Sequence, residues 1–336
     1  MTSNLIVPST VSASGSVRLN AAVTLALAQA SVAAYNDFAG LPYTPPTDYK
    51  YFARFRGWDP YSGEAERFGL IFRYNGPATV EDSYIVAFRG TDSLSDVLDD
   101  TLWNQVDFKP YSNSVSPSPD VHQGFYEIYS KAIRVAPRIE TPSMRDQIFS
   151  LLPNPDEILI TGHSLGAALS QLLTLDMRVS MPHVNIANLN FASPRVGGKK
   201  WEAACDNVGA TGRITRVINY WDYVPDTPPE YIPPIPPSPA WHYVSIGAQF
   251  ETAFSGPDWS APIDELPRHS MLNLQTVLGK CVYIEPNQIW RGSFLDAAYG
   301  WYDMRSTAPP SGSRAPLIAK RKELQDLEAS IRAGVA

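Results

Sequence analysis

Only two cysteines, Cys205 and Cys281, occur in 336 residues. That is too few for a disulfide framework, so both are expected as free thiols and the core has to be held by apolar burial. No run of about 18 apolar residues exists, which removes a membrane-spanning helix and leaves a soluble chain as the expectation. Long basic runs are missing too. Against 34 acidic side chains stand 27 basic ones, a formal charge of −7 that disfavours a phosphate-backbone ligand and hence nucleic acid as a partner. What the chain has in quantity is proline, 30 residues, with 11% aromatics, a composition suited to a compact protein with long, stiff loops. The length allows one full core. The expected organisation is a single domain over residues 1–336, with its core at about 20–280 and a helical extension at 281–336.

Near the start, Arg18 precedes a run of small apolar residues at 21–34 that reads either as a short leader or as a mature helix. Leu25, Ala28, Val32 and Tyr35 fall on one helical face, and Arg18 lies deep for a leader's basic end. The helix is therefore expected, and with it a protein that is cytoplasmic or exported without a leader.

Residues 51–58 and 68–74 alternate or cluster apolar side chains like an antiparallel pair of strands, and Tyr84-Ile85-Val86-Ala87-Phe88 is an unbroken run suited to a strand covered on both faces. Residues 124–139 and 143–152 read as helices. Ile158-Leu159-Ile160-Thr161 forms another buried strand, followed by a helix whose Leu165, Leu169, Leu172, Leu173 and Met177 make one apolar stripe. Strands at 186–191, 214–220 and 241–246, with a helix at 199–207, complete an α/β pattern. Eight prolines between Pro225 and Pro239 exclude a helix or central strand and mark a rigid surface connection between two strands, a proline-recognition motif being the other reading. In the tail, Leu317, Leu324, Leu327 and Ile331 share a helical face and are expected to dock as a final helix.

Gly162-His163-Ser164-Leu165-Gly166 matches G-x-S-x-G, a turn that holds a serine in a strained conformation with its hydroxyl exposed between strand and helix. The pattern is common by chance, and its context gives it weight: a buried strand precedes it and an amphipathic helix follows. Gly162 and Gly166 are small because a side chain on either would strike the adjoining strand or helix. The helix N-terminus favours a developing oxyanion, with the Leu165 N–H as one donor.

With these residues the chain resembles the class 3 family of lipases, the fungal-lipase-like α/β hydrolases. The resemblance extends over roughly residues 26–278. It includes residues 28–35, Phe88-Arg89-Gly90-Thr91, Val121-His122-Gln123-Gly124-Phe125, Ser193-Pro194-Arg195-Val196-Gly197 and Asp222-Tyr223-Val224-Pro225. It implies an α/β-hydrolase fold, a central mixed, mostly parallel sheet flanked by helices, and hydrolysis of triacylglycerols or related esters without a metal or organic cofactor. The proline-dense segment after Asp222 is longer than the family's short Pro-Pro step, a difference that bears on the pocket rim.

A serine hydroxyl needs a base, and an imidazole needs a carboxylate to fix its tautomer, in the chain order Ser, Asp, His. Five histidines compete. His163 lies inside the elbow, His122 sits in a family motif that reads as structural, His183 follows Pro182 in a turn, and His242 opens a run that would lock it in a strand. His269 follows the polar stretch 255–268 and precedes the helical 271–278, so it is the expected base, with His242 as runner-up. Asp222 ends the strand at 214–220 and aligns with the family's Asp-x-Val-Pro; it is the expected acid ahead of Asp226. The second oxyanion donor is expected at Thr91, through its backbone N–H and hydroxyl, a turn or cap threonine being the plainer reading. Leu94, Val97, Leu98, Leu102 and Val106 then recur at helical spacing, either as a mobile lid over 92–106 or as a fixed core helix.

These features lead to a carboxylic ester hydrolase acting through an acyl-enzyme, with triacylglycerol as the expected substrate. A feruloyl or short-chain esterase and a phospholipase A1 are alternatives within the same chemistry. A lipase-like binding protein without turnover is the alternative from another class, and it has no need of Ser164, Asp222 and His269 together.

Overall fold

The computed structural model describes residues 10–11, 17–59, 63–77, 82–91, 103–135, 138–219, 222, 224–234, 238–252, 254–255, 269–279 and 302–303. Seven strands form its central sheet: β1 (Tyr49–Trp58), β2 (Ala65–Tyr74), β3 (Ser83–Phe88), β4 (Glu157–Gly162), β5 (Asn185–Phe191), β6 (Ile214–Asn219) and β7 (Ala248–Thr252). They lie side by side in chain order. From β3 to β7 every pairing is parallel, while β2 runs against both β1 and β3. This is the α/β-hydrolase architecture, a mostly parallel sheet with helices on both faces.

The helices are α1 (Ala21–Phe38), α2 (Gln123–Ser130), α3 (Met144–Leu151), α4 (Leu165–Ser180), α5 (Lys199–Asn207) and α6 (Met271–Gly279). Side chains alternate along a strand, so each central strand feeds two cores. Val86, Phe88, Ile158 and Ile160 pack with Leu169, Leu172 and Leu173 of α4; Ile85, Ala87, Leu159 and Leu189 pack with Leu27 and Ala28 of α1 and Leu274 of α6. Every residue of β3 and β4 is buried, which explains their unbroken apolar runs. Each fully buried Leu, Ile or Phe here contributes on the order of 1.5–3 kcal/mol.

Helix α1 starts where the Asn20 side chain accepts the Val23 N–H. Its buried face runs through Leu27, Ala28, Ser31, Ala34 and Tyr35, with Leu25 and Val32 half-buried at the margin. Small residues on that face let the helix lie close to the sheet, where Ser31 Oγ is 3.3 Å from Thr161 Oγ1. The helix is a packed element of the core. No helix among the described residues is long and apolar enough to cross a membrane.

Three sequence expectations are corrected. The helix expected over 124–139 stops at Ser130, and Ile133–Val135 instead pairs antiparallel with Arg138–Thr141. Ile133 and Val135 are β-branched, and Pro137 lacks the N–H that a helix would need there. The strand expected over 241–246 is not in the central sheet: Trp241–His242 pairs with Tyr231–Ile232, and the edge strand is β7. Gly247, at φ 83°, turns the chain into β7 at a point where a Cβ would lie 2.5 Å from the Ile214 carbonyl oxygen. Helix α4 turns the expected stripe, Leu165, Leu169, Leu172, Leu173 and Met177, into one core, but instead of facing solvent on the other sides it is buried nearly all round. Its polar residues are satisfied internally: Ser170 Oγ and Thr174 Oγ1 accept from Asn188 Nδ2, and Gln171 Nε2 donates to Ser193 Oγ.

Cys205 is a buried thiol whose pKa burial pushes up. Cys281, the expected terminal helix and residues 92–102 of the expected lid lie outside the described residues. Val106 is not helical. It belongs to the short strand Gln105–Asp107, which pairs with Asp120–His122.

Candidate active site

Register sets the site. β3 and β4 run in step from Ser83 opposite Glu157 to Phe88 opposite Gly162, so the turns that follow, at Gly90 and Ser164, meet at the same edge of the sheet. A Cβ built on Gly90 would lie 2.9 Å from Ser164 Cβ, a measure of how closely the two turns touch. Ser164 itself stands at φ 57°, ψ −126°, a conformation that costs a non-glycine residue about 1–3 kcal/mol and is held by its surroundings. Its N–H donates to the Phe191 carbonyl at 3.0 Å, and its own carbonyl accepts the Ala167 N–H at 2.9 Å. Both elbow glycines are required by space: a Cβ on Gly162 would meet the Gly166 carbonyl oxygen at 2.3 Å, and one on Gly166 would meet the Arg89 carbonyl oxygen at 2.3 Å.

Helix α4 begins at Leu165, and the first N–H that bonds back to Ser164 is that of Ala167. The Leu165 N–H thus lies outside the helical ladder, at the positive end of the helix dipole and one residue from the serine. Thr91, half-buried, follows Gly90 on the opposite side of the elbow. The two expected oxyanion donors therefore come from adjacent turns.

Asp222 lies just beyond the C-terminal end of β6, where its N–H donates to the Asn219 carbonyl at 3.0 Å. Its Oδ1 accepts the Val224 N–H at 3.0 Å, and its Oδ2 lies 2.7 Å from His269 Nδ1. Both side chains are 1% exposed. A carboxylate accepts only, so His269 Nδ1 carries the proton and Nε2 is left with a lone pair to take one. Asp226, the competing acid, is bonded to Arg195 instead, and His242 is exposed in the Tyr231–Ile232 ribbon. His183 is exposed in a turn. His122 caps α2, accepting the Phe125 N–H through Nδ1, and burial pushes its pKa down to about 3, so it stays neutral.

His163 does more than fill the elbow. Its Nε2 lies 2.7 Å from the His269 carbonyl oxygen and its Nδ1 2.7 Å from Tyr35 Oη. A carbonyl can only accept, so Nε2 carries the proton and Nδ1 accepts the Tyr35 O–H. Burial, and then the neighbouring His269, hold its pKa well below the usual histidine range, so the ring stays neutral. The His163 and His269 rings are 4.5 Å apart between centroids, so His269 is held against the residue that precedes Ser164. Sequence reasoning placed Tyr35 only on a helical stripe; no local pattern announces that its hydroxyl reaches the elbow.

The structure thus brings Asp222 and His269 together and sets His269 against His163, the residue before Ser164, while Gly90, next to Thr91, touches the same elbow. Among the described residues no group of three or more His, Cys, Asp or Glu side chains is placed to hold a metal ion.

Comparison with known proteins adds the following. The family model described as Lipase (class 3) matches residues 85–232. The chain is 28% identical over 166 residues to a lipase of Rhizopus niveus, covering 48% of this chain and 38% of that one. It is 29% identical over 207 residues to phospholipase A1-II 6 of Oryza sativa subsp. japonica, covering 56% and 48% respectively. The chain spans about two fifths of the length of the lipases it matches. Among solved structures, Lip2 lipase from Yarrowia lipolytica shares the fold, with a TM-score of 0.50 at 19% identity over 76% of this chain and 88% of that one.

Proposed function

We propose that this chain, whose residues 85–232 belong to the class 3 lipase family, is a serine carboxylic ester hydrolase of triacylglycerol lipase type. One observation carries the reading: a buried carboxylate 2.7 Å from the imidazole of His269, beside a serine held at φ 57° between strand and helix. Such strain persists only where the surroundings enforce it, and a buried acid–imidazole pair at the same edge of the sheet gives it a chemical use.

In this reaction Ser164 Oγ attacks the ester carbonyl as His269 Nε2 takes its proton. Asp222 holds the ring in the Nδ1–H tautomer and stabilises the imidazolium that forms. The oxyanion accepts from the Leu165 and Thr91 N–H groups; losing one such donor costs about 100- to 1000-fold in turnover. His269 then protonates the departing alcohol, and the same base activates water to release the acid. Because His163 is neutral and donates to the His269 carbonyl, it holds the base without adding a competing positive charge.

A phospholipase A1 is the second reading, favoured by the match to the rice protein of that name. Both readings share the proposed nucleophile, and the test separates them. Hydrolysis of p-nitrophenyl esters from acetate to palmitate is measured beside Ser164→Ala, followed by triacylglycerol emulsions and phosphatidylcholine vesicles. Ester turnover that is lost in Ser164→Ala supports the hydrolase, and preference for the emulsion supports the lipase. Equal turnover by both proteins defeats the assignment.

A further inference from the structure

We propose that Arg89 is the positioning residue of the oxyanion hole: its buried guanidinium fixes the peptide plane between Gly90 and Thr91, and so aims the Thr91 N–H at the reacting carbonyl. The inference rests on the hydrolase reading above and names a residue for which that mechanism has no role.

The two donors are not equally well held. Leu165 opens a long helix, and its N–H is aligned by the turns behind it. Thr91 follows a glycine and lies in neither helix nor strand. Gly90 cannot be anything larger, because a Cβ there would sit 2.2 Å from Tyr35 Oη and 2.9 Å from both the His163 carbonyl oxygen and Ser164 Cβ. Space therefore demands the residue with the freest backbone at the place where a peptide must be most firmly oriented. An external anchor is needed.

Arg89 supplies it. Its side chain is 2% exposed, an expensive place for a charge unless every hydrogen is used. Nη1 donates to the Gly90 carbonyl oxygen at 2.6 Å, Nε donates to the Arg67 carbonyl oxygen at 2.7 Å, and Nη2 pairs with Glu66. The guanidinium carbon lies 3.7 Å from the centroid of the Phe38 ring and 4.5 Å from that of Phe68. The anchor is thus moored to β2 by one backbone carbonyl and one side-chain carboxylate, and to the end of α1 by a ring. In a trans peptide the C=O and N–H point in opposite directions. Seizing the Gly90 oxygen on the side of β2 turns the Thr91 N–H to the other side of the same plane.

The test uses Arg89→Met, which keeps a stem over the two rings but has no donor, and Arg89→Lys, which keeps the charge for Glu66 but cannot span three acceptors with a planar fork. Active sites are counted by complete labelling with a fluorophosphonate. Then kcat per labelled site and KM are measured with p-nitrophenyl butyrate, along with inhibition by butylboronic acid, whose serine adduct is tetrahedral. The expected result for Arg89→Met is a fall in kcat per site of about tenfold or more, bounded by the ~1000-fold of a lost donor. KM stays within about twofold, and boronic acid affinity falls in parallel, since the lost interaction belongs to the tetrahedral state. Arg89→Lys falls between, and it decides the matter alone if the Met variant does not fold. Unchanged kcat per site and boronic acid affinity, with only a lower melting temperature, overturn the proposal and leave Arg89 a fold-stabilising charge. Failure of the hydrolase reading looks different, because then the wild-type chain neither labels nor turns over.

Discussion

Replacing Asp176 by asparagine is expected to stabilise the protein at neutral pH, although three donors surround the carboxylate. Asp176 is fully buried inside α4. Its Oδ1 accepts the Tyr111 N–H at 2.6 Å and the Ser180 hydroxyl at 3.1 Å, while its Oδ2 accepts the Tyr129 hydroxyl at 2.9 Å. Burial nonetheless pushes its pKa from 3.8 up to about 6, against the pull of these bonds and of Arg145. At about 1.4 kcal/mol per tenfold, that rise corresponds to about 3 kcal/mol of charge-burial cost. The sign follows from linkage. Well below 3.8 the acid is neutral in both states and costs nothing; as pH climbs from there towards 6 the unfolded chain ionises first and stability falls; above that the full cost is present. Asparagine has nearly the same shape, can accept from Tyr111 through its carbonyl, and carries no charge. Urea unfolding of both proteins at about pH 4 and pH 8 measures the effect, and taking the difference between proteins cancels the other titrating groups. The advantage of Asp176→Asn should be larger at the higher pH by roughly 2.5 kcal/mol, since a small part of the cost is already present at about pH 4. An equal difference at both pH values, or a larger one in acid, refutes the reasoning.

Asp222→Asn is expected to keep the fold, since the amide oxygen can still accept from Val224, but to present an N–H to His269 Nδ1 and drive the ring proton to Nε2. A base in that tautomer cannot receive the serine proton, and kcat should fall by about 10⁴-fold in an ester assay; wild-type turnover in this variant would contradict the role given to the carboxylate. Tyr35→Phe removes the donor to His163 Nδ1 inside the core. The abandoned acceptor should cost about 1–3 kcal/mol in urea unfolding, and a loss below about 0.5 kcal/mol would mean that the hydroxyl does not donate there.

The parts of the fold that were legible in the sequence are those where one local signal decides the outcome. β3 and β4 are largely apolar runs because both faces are covered. The elbow was readable because tight approach leaves only glycine at 162 and 166. Where the chain's partner lies far away in sequence, local reading failed. The run 241–246 is apolar because Tyr243 and Ile246 are buried beneath the loops, not because it enters the sheet, whereas β7 places only Phe250 and Thr252 inward and looks weak. The helix expected through 139 stops at Ser130, before the β-branched Ile133 and Val135, which pair in a ribbon instead. In the site, Asp222 and His269, named by chain order, are hydrogen-bonded to each other, while the supporting contacts of Tyr35 and Arg89 were invisible. Each depends on a hydroxyl or guanidinium reaching a backbone or ring supplied by another element, and no spacing rule encodes that reach.

The imidazole of His163 touches a tyrosine 128 residues earlier and a carbonyl 106 residues later. A chain made only as far as the elbow has the tyrosine but not the carbonyl. The second contact forms only after residue 269 has been made and has docked against the elbow. The elbow is thus a local turn whose side-chain setting is completed by the first helix of the described chain and by the residues just ahead of the last, and a cut between β7 and His269 would detach the carbonyl that His163 binds.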